Sequence, residues 1–427
     1  MLKKISFVYG SNLILGILGI ISVPILLNNL GLESYGVYAI YLMLGSYFAI
    51  FELGVIKHIT RLIILEDEEI SQTISTFYVG TIMFIIFFTP FIFLIITYIL
   101  NGDDSLALLV TMFSVLEYIF FLPTKINIAY SKARKKFEKI SVFNLYSGFF
   151  RYAVLIIGSY LFEEIAIILF LLMIRRLLDI KLSRKILNES NGVFKIKKIN
   201  KKQFSYVLNI YKESIFLSAT QIMQINFSGL VIMIISKRYG VETLGLFRST
   251  FDILSKVWFI SNGLGTVVFP YFASEKFKMT NGYYFLVSWL FYSFVAVILY
   301  QSLPFVNENL LNGELNLFED SLLYVCISAV VLLTAQFNLS YEFLQAKGRY
   351  KLLFSISLFV SILFVILSSI VAVLNLNLNY LVSSWALCLF IQTVGFEFYT
   401  LDKNPKYLIY IICFSVSCII LSISWMN

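Results

Sequence analysis

Long apolar runs separated by short polar breaks fill almost the whole chain. A membrane-crossing helix needs about 20 mostly apolar residues, and the pattern contains twelve such runs plus a thirteenth at the C-terminal end. The weakest run is the sixth, because Arg175 and Arg176 lie inside it. The pattern predicts an all-α polytopic membrane protein with helices at residues 5–27, 37–56, 77–100, 106–128, 141–162, 165–182, 214–236, 248–271, 283–304, 321–342, 353–375, 379–399 and 407–425.

One of the polar breaks recurs at about half the chain length. Residues 30–38 read Leu-Gly-Leu-Glu-Ser-Tyr-Gly-Val-Tyr, and residues 239–247 read Tyr-Gly-Val-Glu-Thr-Leu-Gly-Leu-Phe. The first motif's Gly31, Glu33 and Gly36 correspond to Gly240, Glu242 and Gly245 at an offset of 209 residues. A second pair, Ala-Arg-Lys-Lys-Phe at 133–137 and Ala-Lys-Gly-Arg-Tyr at 346–350, has an offset of 213. Repetition on this scale predicts two related halves.

The halves follow from these repeats and from one long polar stretch. We predict an N-terminal six-helix lobe (1–182), a basic cytoplasmic linker (183–212), a C-terminal six-helix lobe (213–400) and an extra hydrophobic segment (401–427). An even number of helices in each half gives both halves the same orientation. The repeat is therefore a parallel pseudo-two-fold about the membrane normal.

The positive charges predict the orientation. Lysines and arginines in short loops mark the cytoplasmic side, and 27 of the 33 fall there if the N-terminus is cytoplasmic. The predicted outer loops are neutral or acidic, as at 101–104, 163–164 and 307–320. The net charge of +8 thus marks a membrane face, and no nucleic-acid partner is needed to explain it. Lys237 and Arg238 lie outside against this rule, so either they have a role there or that turn is shallow.

Composition agrees with a membrane protein and excludes several kinds of active site. Only 14% of residues are charged, against about 25% in soluble domains. The four cysteines all fall in apolar runs, where they are expected to pack rather than form disulfides. No phosphate-binding Gly-x-x-x-x-Gly-Lys-Ser/Thr loop is present, and a single histidine does not suit a zinc site. We therefore expect no enzyme activity, no cofactor and no metal.

The first 61 residues carry a family resemblance. A basic N-terminus, a first helix with glycines and Pro24, Leu-Gly-x-x-x-Tyr-Gly-x-Tyr at 30–38 and Phe-Glu-Leu-Gly at 51–54 followed by Arg61 resemble the Wzx-type polysaccharide-unit flippases. These O-antigen and capsule transporters belong to the multidrug/oligosaccharidyl-lipid/polysaccharide exporter superfamily. The basic loops around Arg134 and Lys347 fit the same family, and the resemblance extends over about residues 1–400. The thirteenth run departs from the family's even number of helices.

The resemblance implies a function and its setting. It implies two six-helix lobes facing each other in a V around a central cavity, in the bacterial cytoplasmic membrane. The expected substrate is an undecaprenyl-pyrophosphate-linked oligosaccharide, moved from the inner to the outer leaflet by alternating access. Expected partners are membrane lipids and polysaccharide polymerase or assembly proteins. The alternatives are a multidrug/cation antiporter or a lipid II flippase of the same superfamily, and, from another class, a membrane glycan polymerase.

Ionisable residues at bilayer depth are costly and usually face a cavity or a partner. The first candidates, Arg248, Asp252 and Lys256, share one face of the eighth predicted helix at i, i+4 and i+8. In one reading this stripe lines the cavity and its cations contact a substrate pyrophosphate or acidic sugars. In the other reading Asp252 neutralises one neighbour and the other cation reaches the membrane surface.

The second set lies in the N-terminal half. Glu117 and Arg151 are expected at similar depth in neighbouring antiparallel helices, as a packing ion pair or as a substrate or proton site. Lys125 either meets a substrate headgroup or reaches toward the membrane surface.

Neutral polar residues complete the candidates. Amides suit sugar hydroxyls but also join helices, and the histidine is either interfacial or a proton carrier. The neutral candidates are Gln221, Gln224, Asn226, Ser228, Asn12, Gln336 and Asn338, and the titratable Glu52 and His58 lie toward the inner end of the second predicted helix.

Overall fold

A computed structural model describes residues 2–48, 70–134, 136–187, 219–224, 227–258, 283–301, 303–305, 308 and 321–400. Within these ranges the secondary structure is helical, and no strand occurs there. The predicted all-α polytopic class is confirmed. The predicted C-terminal segment, Glu52, His58 and Asn226 lie outside the described residues.

The first of two compact units comprises Met1–Gly245. Within it α1 packs on α4, α3 packs on α5 and α2, and α4 packs on α5. Its helices are α1 (Leu2–Phe48), α2 (Ile70–Ile99), α3 (Asp104–Ala133), α4 (Phe137–Leu161), α5 (Ile165–Leu187), α6 (Ala219–Tyr239, described except at 225 and 226) and the start of α7 (Val241–Leu254).

The second unit comprises Leu246–Asn427. It contains the rest of α7, a 3-10 turn (Ser255–Val257), α8 (Tyr283–Gln301), a single helical turn (Leu303–Phe305), α9 (Ser321–Ala346), α10 (Tyr350–Val373) and α11 (Leu378–Thr400). In this unit α11 packs on both α9 and α10, and α8 packs on α9.

Among the described residues, eight helices are long and apolar enough to cross a membrane. They correspond to nine predicted segments, because α1 covers the first and the described part of the second. The predicted ninth segment contains the shorter apolar helix Val287–Ile298. The sixth is helical as α5 but is not among the eight. Large apolar side chains stay exposed along α2 and α10, as expected where helices face lipid.

The repeated motif bends the chain at equivalent glycines. Gly31 interrupts α1 with φ 77° and ψ 172°, a conformation that is essentially restricted to glycine. Gly240, its counterpart 209 residues later, has φ 96° and separates α6 from α7. The polar break at 30–38 therefore contains a bend between two helical arms of α1.

The other glycines of the two motifs bring the motifs together. A β-carbon on Gly36 would lie 2.1 Å from the carbonyl oxygen of Val241, and one on Gly245 would lie 1.9 Å from that of Leu32. Val241 is the counterpart of Leu32, and Gly245 is the counterpart of Gly36. The two contacts are thus equivalent under the 209-residue offset of the sequence repeat. The absence of side chains at these glycines permits backbones to approach this closely.

The second repeat coincides with equivalent helix ends. α3 ends at Ala133 and α4 begins at Phe137, whereas α9 ends at Ala346 and α10 begins at Tyr350. Both ends and both beginnings are related by the offset of 213 residues found in the sequence.

The loop between α2 and α3 is fixed by side chains at both ends. Asp103 caps α3, because its Oδ1 accepts hydrogen bonds from the Leu106 amide at 3.0 Å and the Ser105 hydroxyl at 2.8 Å. These bonds lower the pKa of Asp103 below its usual value. Lys237 donates to Oδ1 of Asn101 at 3.0 Å and lies 4.2 Å from the ring centre of Tyr98. Lys237 therefore ties the end of α6 to this loop.

Candidate functional site

A cluster of charged and phenolic side chains joins four helices of the first unit. Glu117 of α3 accepts a hydrogen bond from the Tyr41 hydroxyl at 2.5 Å and one from Nε of Arg176 at 2.8 Å. Nη2 of Arg175 lies 4.0 Å from Oε1 of Glu117. The Glu117 carboxylate is therefore shared between α1 and α5.

Asp179 neutralises the two adjacent arginines of α5. Its Oδ2 accepts from Nη2 of Arg175 at 3.1 Å and from Nη1 of Arg176 at 3.0 Å. Asp179 and Arg175 are almost fully buried, and Arg175 also donates to the carbonyl oxygen of Ser147 at 3.0 Å. These bonds explain how a helix with two adjacent arginines can pack inside the bundle and hold α4.

Arg151 of α4 has a different environment. Its Nη2 donates to the Tyr38 hydroxyl at 2.8 Å, and among the described residues no carboxylate lies within salt-bridge distance of it. Glu117, the ion-pair partner considered from the sequence, instead pairs with Arg176. The reason is that α5 places its arginines against Glu117, and helix depth alone could not reveal this. Arg151 is thus a cation held by a neutral phenol.

Lys125 lies two turns along α3 from Glu117, on the same face. Its ammonium is 4.7 Å from the ring centre of Tyr118 and 5.1 Å from that of Phe121, and it contacts the Tyr118 hydroxyl at 3.4 Å. The guanidinium of Arg176 lies 4.1 Å from the ring centre of Phe121. Phe121 therefore contacts both cations through cation–π interactions.

The cluster carries an excess of positive charge near the middle of the bilayer. It comprises the four cations Lys125, Arg151, Arg175 and Arg176, the two carboxylates Glu117 and Asp179, and the phenols Tyr38 and Tyr41. We call these eight residues the arginine cluster. At 1.5 Å per residue, Glu117, Arg151 and Arg176 lie about 15–20 Å from the helix ends that share one membrane side. The apolar core is about 30 Å thick. The eight residues therefore contain two more cations than carboxylates, and Glu117, Arg151 and Arg176 lie at mid-membrane depth.

The predicted stripe on α7 is partly paired. Arg248 Nη2 and Asp252 Oδ1 form a salt bridge at 2.9 Å, and the Arg248 guanidinium lies 5.4 Å from the ring centre of Phe251. Nε of Arg248 is buried and has no hydrogen-bond partner among the described residues. Lys256 lies beyond the end of α7, in the 3-10 turn Ser255–Val257. The stripe therefore does not continue as one α-helical face.

The neutral candidates are dispersed. Gln221 and Gln224 lie partly buried in α6, and Nε2 of Gln224 has no hydrogen-bond partner among the described residues. Asn12 lies partly buried in the first arm of α1. None of the three belongs to the arginine cluster. The contacts of Gln336 are different.

Gln336 leads to a buried acid that the sequence interpretation did not single out. Nε2 of Gln336 donates to Oε1 of Glu397 at 2.6 Å, and the Trp289 indole donates to both Glu397 oxygens at 3.0 and 3.2 Å. The Ser288 hydroxyl donates to Oε1 of Gln336 at 2.5 Å. Glu397 has no exposed surface. The sequence did contain a signal for this site, because Glu397 is an acid inside the predicted apolar helix 379–399.

Other members of the arginine cluster were also missed. Arg175 and Arg176 counted only against the sixth predicted helix, although Asp179 follows at the helical spacing that neutralises them. Tyr38 belongs to the repeated motif, but nothing in its spacing showed that it contacts Arg151. These pairings depend on which helices are neighbours.

Comparison with known proteins identifies relatives of this architecture. A family model described as "Polysaccharide biosynthesis protein" matches residues 1–276. A search among curated proteins found no match.

Two solved structures match nearly the whole chain. One is titled "Lipid II flippase MurJ, inward closed conformation", with 14% identity and a TM-score of 0.70 over 97% of this chain and 92% of that one. The other is an inward-facing multidrug resistance MATE family transporter of the MOP superfamily, with 10% identity and a TM-score of 0.65 over 92% and 95%. At these identities the likeness establishes the fold.

Proposed function

The chain belongs to the polysaccharide biosynthesis protein family, and from this we propose that it is a flippase for undecaprenyl-pyrophosphate-linked oligosaccharides. The substrate would cross the bacterial cytoplasmic membrane by alternating access, as a step in O-antigen or capsule assembly. The N-terminus would be cytoplasmic, in agreement with the basic loops. The observation that carries the proposal is the arginine cluster.

The chemistry of the cluster suits a pyrophosphate. A lipid-linked pyrophosphate diester carries a negative charge on each phosphate, and the cluster has two positive charges in excess of its carboxylates. Guanidinium groups bind phosphate oxygens through paired, charge-assisted hydrogen bonds. Arg151 is the best-placed group, because among the described residues its hydrogen-bond partner is the neutral Tyr38, which it can exchange without breaking an ion pair. Arg175 is less suitable, since Asp179 and the Ser147 carbonyl already occupy it.

The stripe on α7 is a second contact region in the proposal. Nε of Arg248, which has no hydrogen-bond partner among the described residues, is a donor that a phosphate or sugar oxygen could satisfy. Lys256 is proposed as a further cation for the same substrate, and Gln221, Gln224 and Asn12 as groups for sugar hydroxyls. The two-lobe division at 183–212 remains part of this proposal.

The alternative functions differ in the charges they require at the arginine cluster or in the products they would leave. A cation antiporter would need acids in excess, whereas this cluster has cations in excess. A lipid II flippase shares the pyrophosphate chemistry, so it is distinguished by the glycan and not by the charges. A glycan polymerase is distinguished by where unpolymerised units accumulate.

Charge variants at position 151 test the proposal. In a strain lacking this gene, the wild type, Arg151→Gln, Arg151→Glu and Arg151→Lys are expressed, and surface polysaccharide is measured together with lipid-linked units on each side of the membrane. Arg184→Glu is the matched control, because Arg184 is exposed at the end of α5. Hydrogen bonds to charged groups contribute about 1.5–3 kcal/mol. The Gln and Glu variants are therefore expected to export at least about tenfold less.

The distribution of lipid-linked units decides between the functions. A flippase defect leaves single units on the cytoplasmic side, whereas a polymerase defect leaves them outside. Arg151→Lys should retain part of the export, since the charge remains. Normal export by Arg151→Gln and Arg151→Glu, both present in the membrane at wild-type level, would overturn the proposed role of the cluster.

A further inference from the structure

We propose that Glu397, Gln336, Ser288 and Trp289 form a proton-binding site in the second unit, with the Glu397 carboxyl as the group that holds the proton. The proposal rests on the proposed function in one respect, since the transport cycle is what the bound proton would act on. The site itself follows from the packing of α8, α9 and α11.

The first argument is the isolation of the Glu397 carboxyl. It is fully buried, and its hydrogen bonds come from the amide of Gln336 and the indole of Trp289, both uncharged. Among the described residues no lysine or arginine lies within salt-bridge distance of it. Burying an ionised carboxylate without a cation is costly, and such groups usually exchange a proton instead.

The second argument is that the hydrogen bonds can be satisfied in both protonation states. With Glu397 ionised, Gln336 donates its amide to the carboxylate and accepts from the Ser288 hydroxyl. With Glu397 protonated, a half-turn of the Gln336 amide presents its oxygen to the new O–H and its NH₂ to Ser288. A serine hydroxyl both donates and accepts. A single amide rotation therefore satisfies either state.

The surroundings contain few other groups that titrate. The apolar cluster around the site includes Phe337, Leu344, Leu353 and Phe396. Its titratable members are the phenols of Tyr341 and Tyr399. Two described cations border this cluster: Arg349 donates to the carbonyl oxygen of Tyr399 at 3.1 Å, and the Lys347 ammonium lies 5.9 Å from the ring centre of Phe343. Within this cluster Glu397 is the carboxyl available for proton exchange.

The position of the site suits exchange with one side of the membrane. Glu397 lies three residues before the end of α11 at Thr400, Trp289 six residues after the start of α8, and Gln336 ten residues before the end of α9. All three helix ends lie on the same side by connectivity, and the basic loops predict that it is cytoplasmic. Because the site joins three helices, its protonation would change how α8 and α9 hold α11.

Tryptophan emission provides a direct test with purified protein. The Trp289 indole donates to both carboxylate oxygens, so its emission should respond when Glu397 takes up a proton. The wild type should show a one-proton pH transition that is absent in both Glu397→Gln and Trp289→Phe. Glu164→Gln is the matched control, because Glu164 is exposed in the loop between α4 and α5, and it should retain the transition. Infrared difference spectra should show a protonated carboxyl band that Glu397→Gln removes.

A second variant and a sodium titration cover the cases in which Glu397→Gln does not fold or the site binds another cation. If Glu397→Gln does not fold, Gln336→Leu takes its place and should move the midpoint to higher pH, since the carboxylate loses its donor at 2.6 Å. A transition that persists in Glu397→Gln, or one that follows sodium concentration at constant pH, would overturn the proton assignment. Emission does not depend on transport. A failed flippase assay and a failed proton assay are therefore separate results.

Discussion

Adding one methyl group at Gly245 should destabilise the first unit. A β-carbon there would lie 1.9 Å from the Leu32 carbonyl oxygen and 3.1 Å from the Gly36 nitrogen. Real β-carbons essentially never come closer than 3.0 Å, so the two backbones must separate by about 1.1 Å. Because the obstacle is backbone, no side-chain rotation relieves it, and overpacking of this kind costs about 1–3 kcal/mol.

The matched control for Gly245→Ala is a glycine-to-alanine change that should increase stability. Gly45 lies on α1, and nothing lies within 4 Å of a β-carbon built there. Gly45→Ala should therefore gain about 0.5–1 kcal/mol from helix propensity and from reduced freedom of the unfolded chain. Gly36→Ala should behave like Gly245→Ala, because its β-carbon would meet the Val241 carbonyl oxygen at 2.1 Å.

Thermal unfolding of the purified variants measures these effects. A destabilisation of 1 kcal/mol lowers Tm by about 2–4 °C in a unit of 150–250 residues. The double variant Gly36→Ala/Gly245→Ala should lose less than the sum of the single losses, since one separation relieves both contacts. If Gly245→Ala unfolds at or above the wild-type temperature while Gly45→Ala behaves as expected, the close contact between the two repeated motifs is refuted.

Two further changes test the interactions of the first unit. Asp179→Asn leaves the buried Arg175 without its carboxylate at 3.1 Å, so stability in thermal unfolding should fall by about 3–5 kcal/mol; an unchanged Tm would mean that this pair is not buried. Asp103 has its pKa lowered by the Leu106 amide and the Ser105 hydroxyl. Its cap therefore stabilises α3 fully above the unfolded-state pKa and loses this effect as pH falls through the folded-state value. The Tm difference between wild type and Asp103→Ala should be present at neutral pH and shrink in acid, and a difference that grows in acid would contradict the capping.

The repeated motif shows how much a local pattern determined. Long apolar runs predicted the helices because the bilayer fixes both their length and their composition. Gly31 and Gly240, which the sequence showed as matched repeat positions, lie where the chain bends, because positive φ angles strongly favour glycine. The helices that end at Ala133 and Ala346 were predicted to end at 128 and 342, where polar and basic residues begin to interrupt the apolar runs.

The partners of the charges were decided only by tertiary structure. The sequence showed that Glu117 and Arg151 lie deep in the membrane, but depth does not specify neighbours. Because α3 packs against α5, Glu117 binds Arg176, which is 59 residues away in the sequence. Arg151 instead donates a hydrogen bond to Tyr38, 113 residues away. The hydrogen bond from Trp289 to Glu397 likewise joins residues 108 positions apart, so it could not be predicted from local sequence.

A hydrophobic pattern records which residues avoid water, and this was enough for the membrane class, the helices and the repeat. Which polar groups meet inside the bundle depends on helix rotation and neighbour choice, which no local pattern contains. The arginine cluster and the Glu397 site therefore became visible only when the helices were packed together.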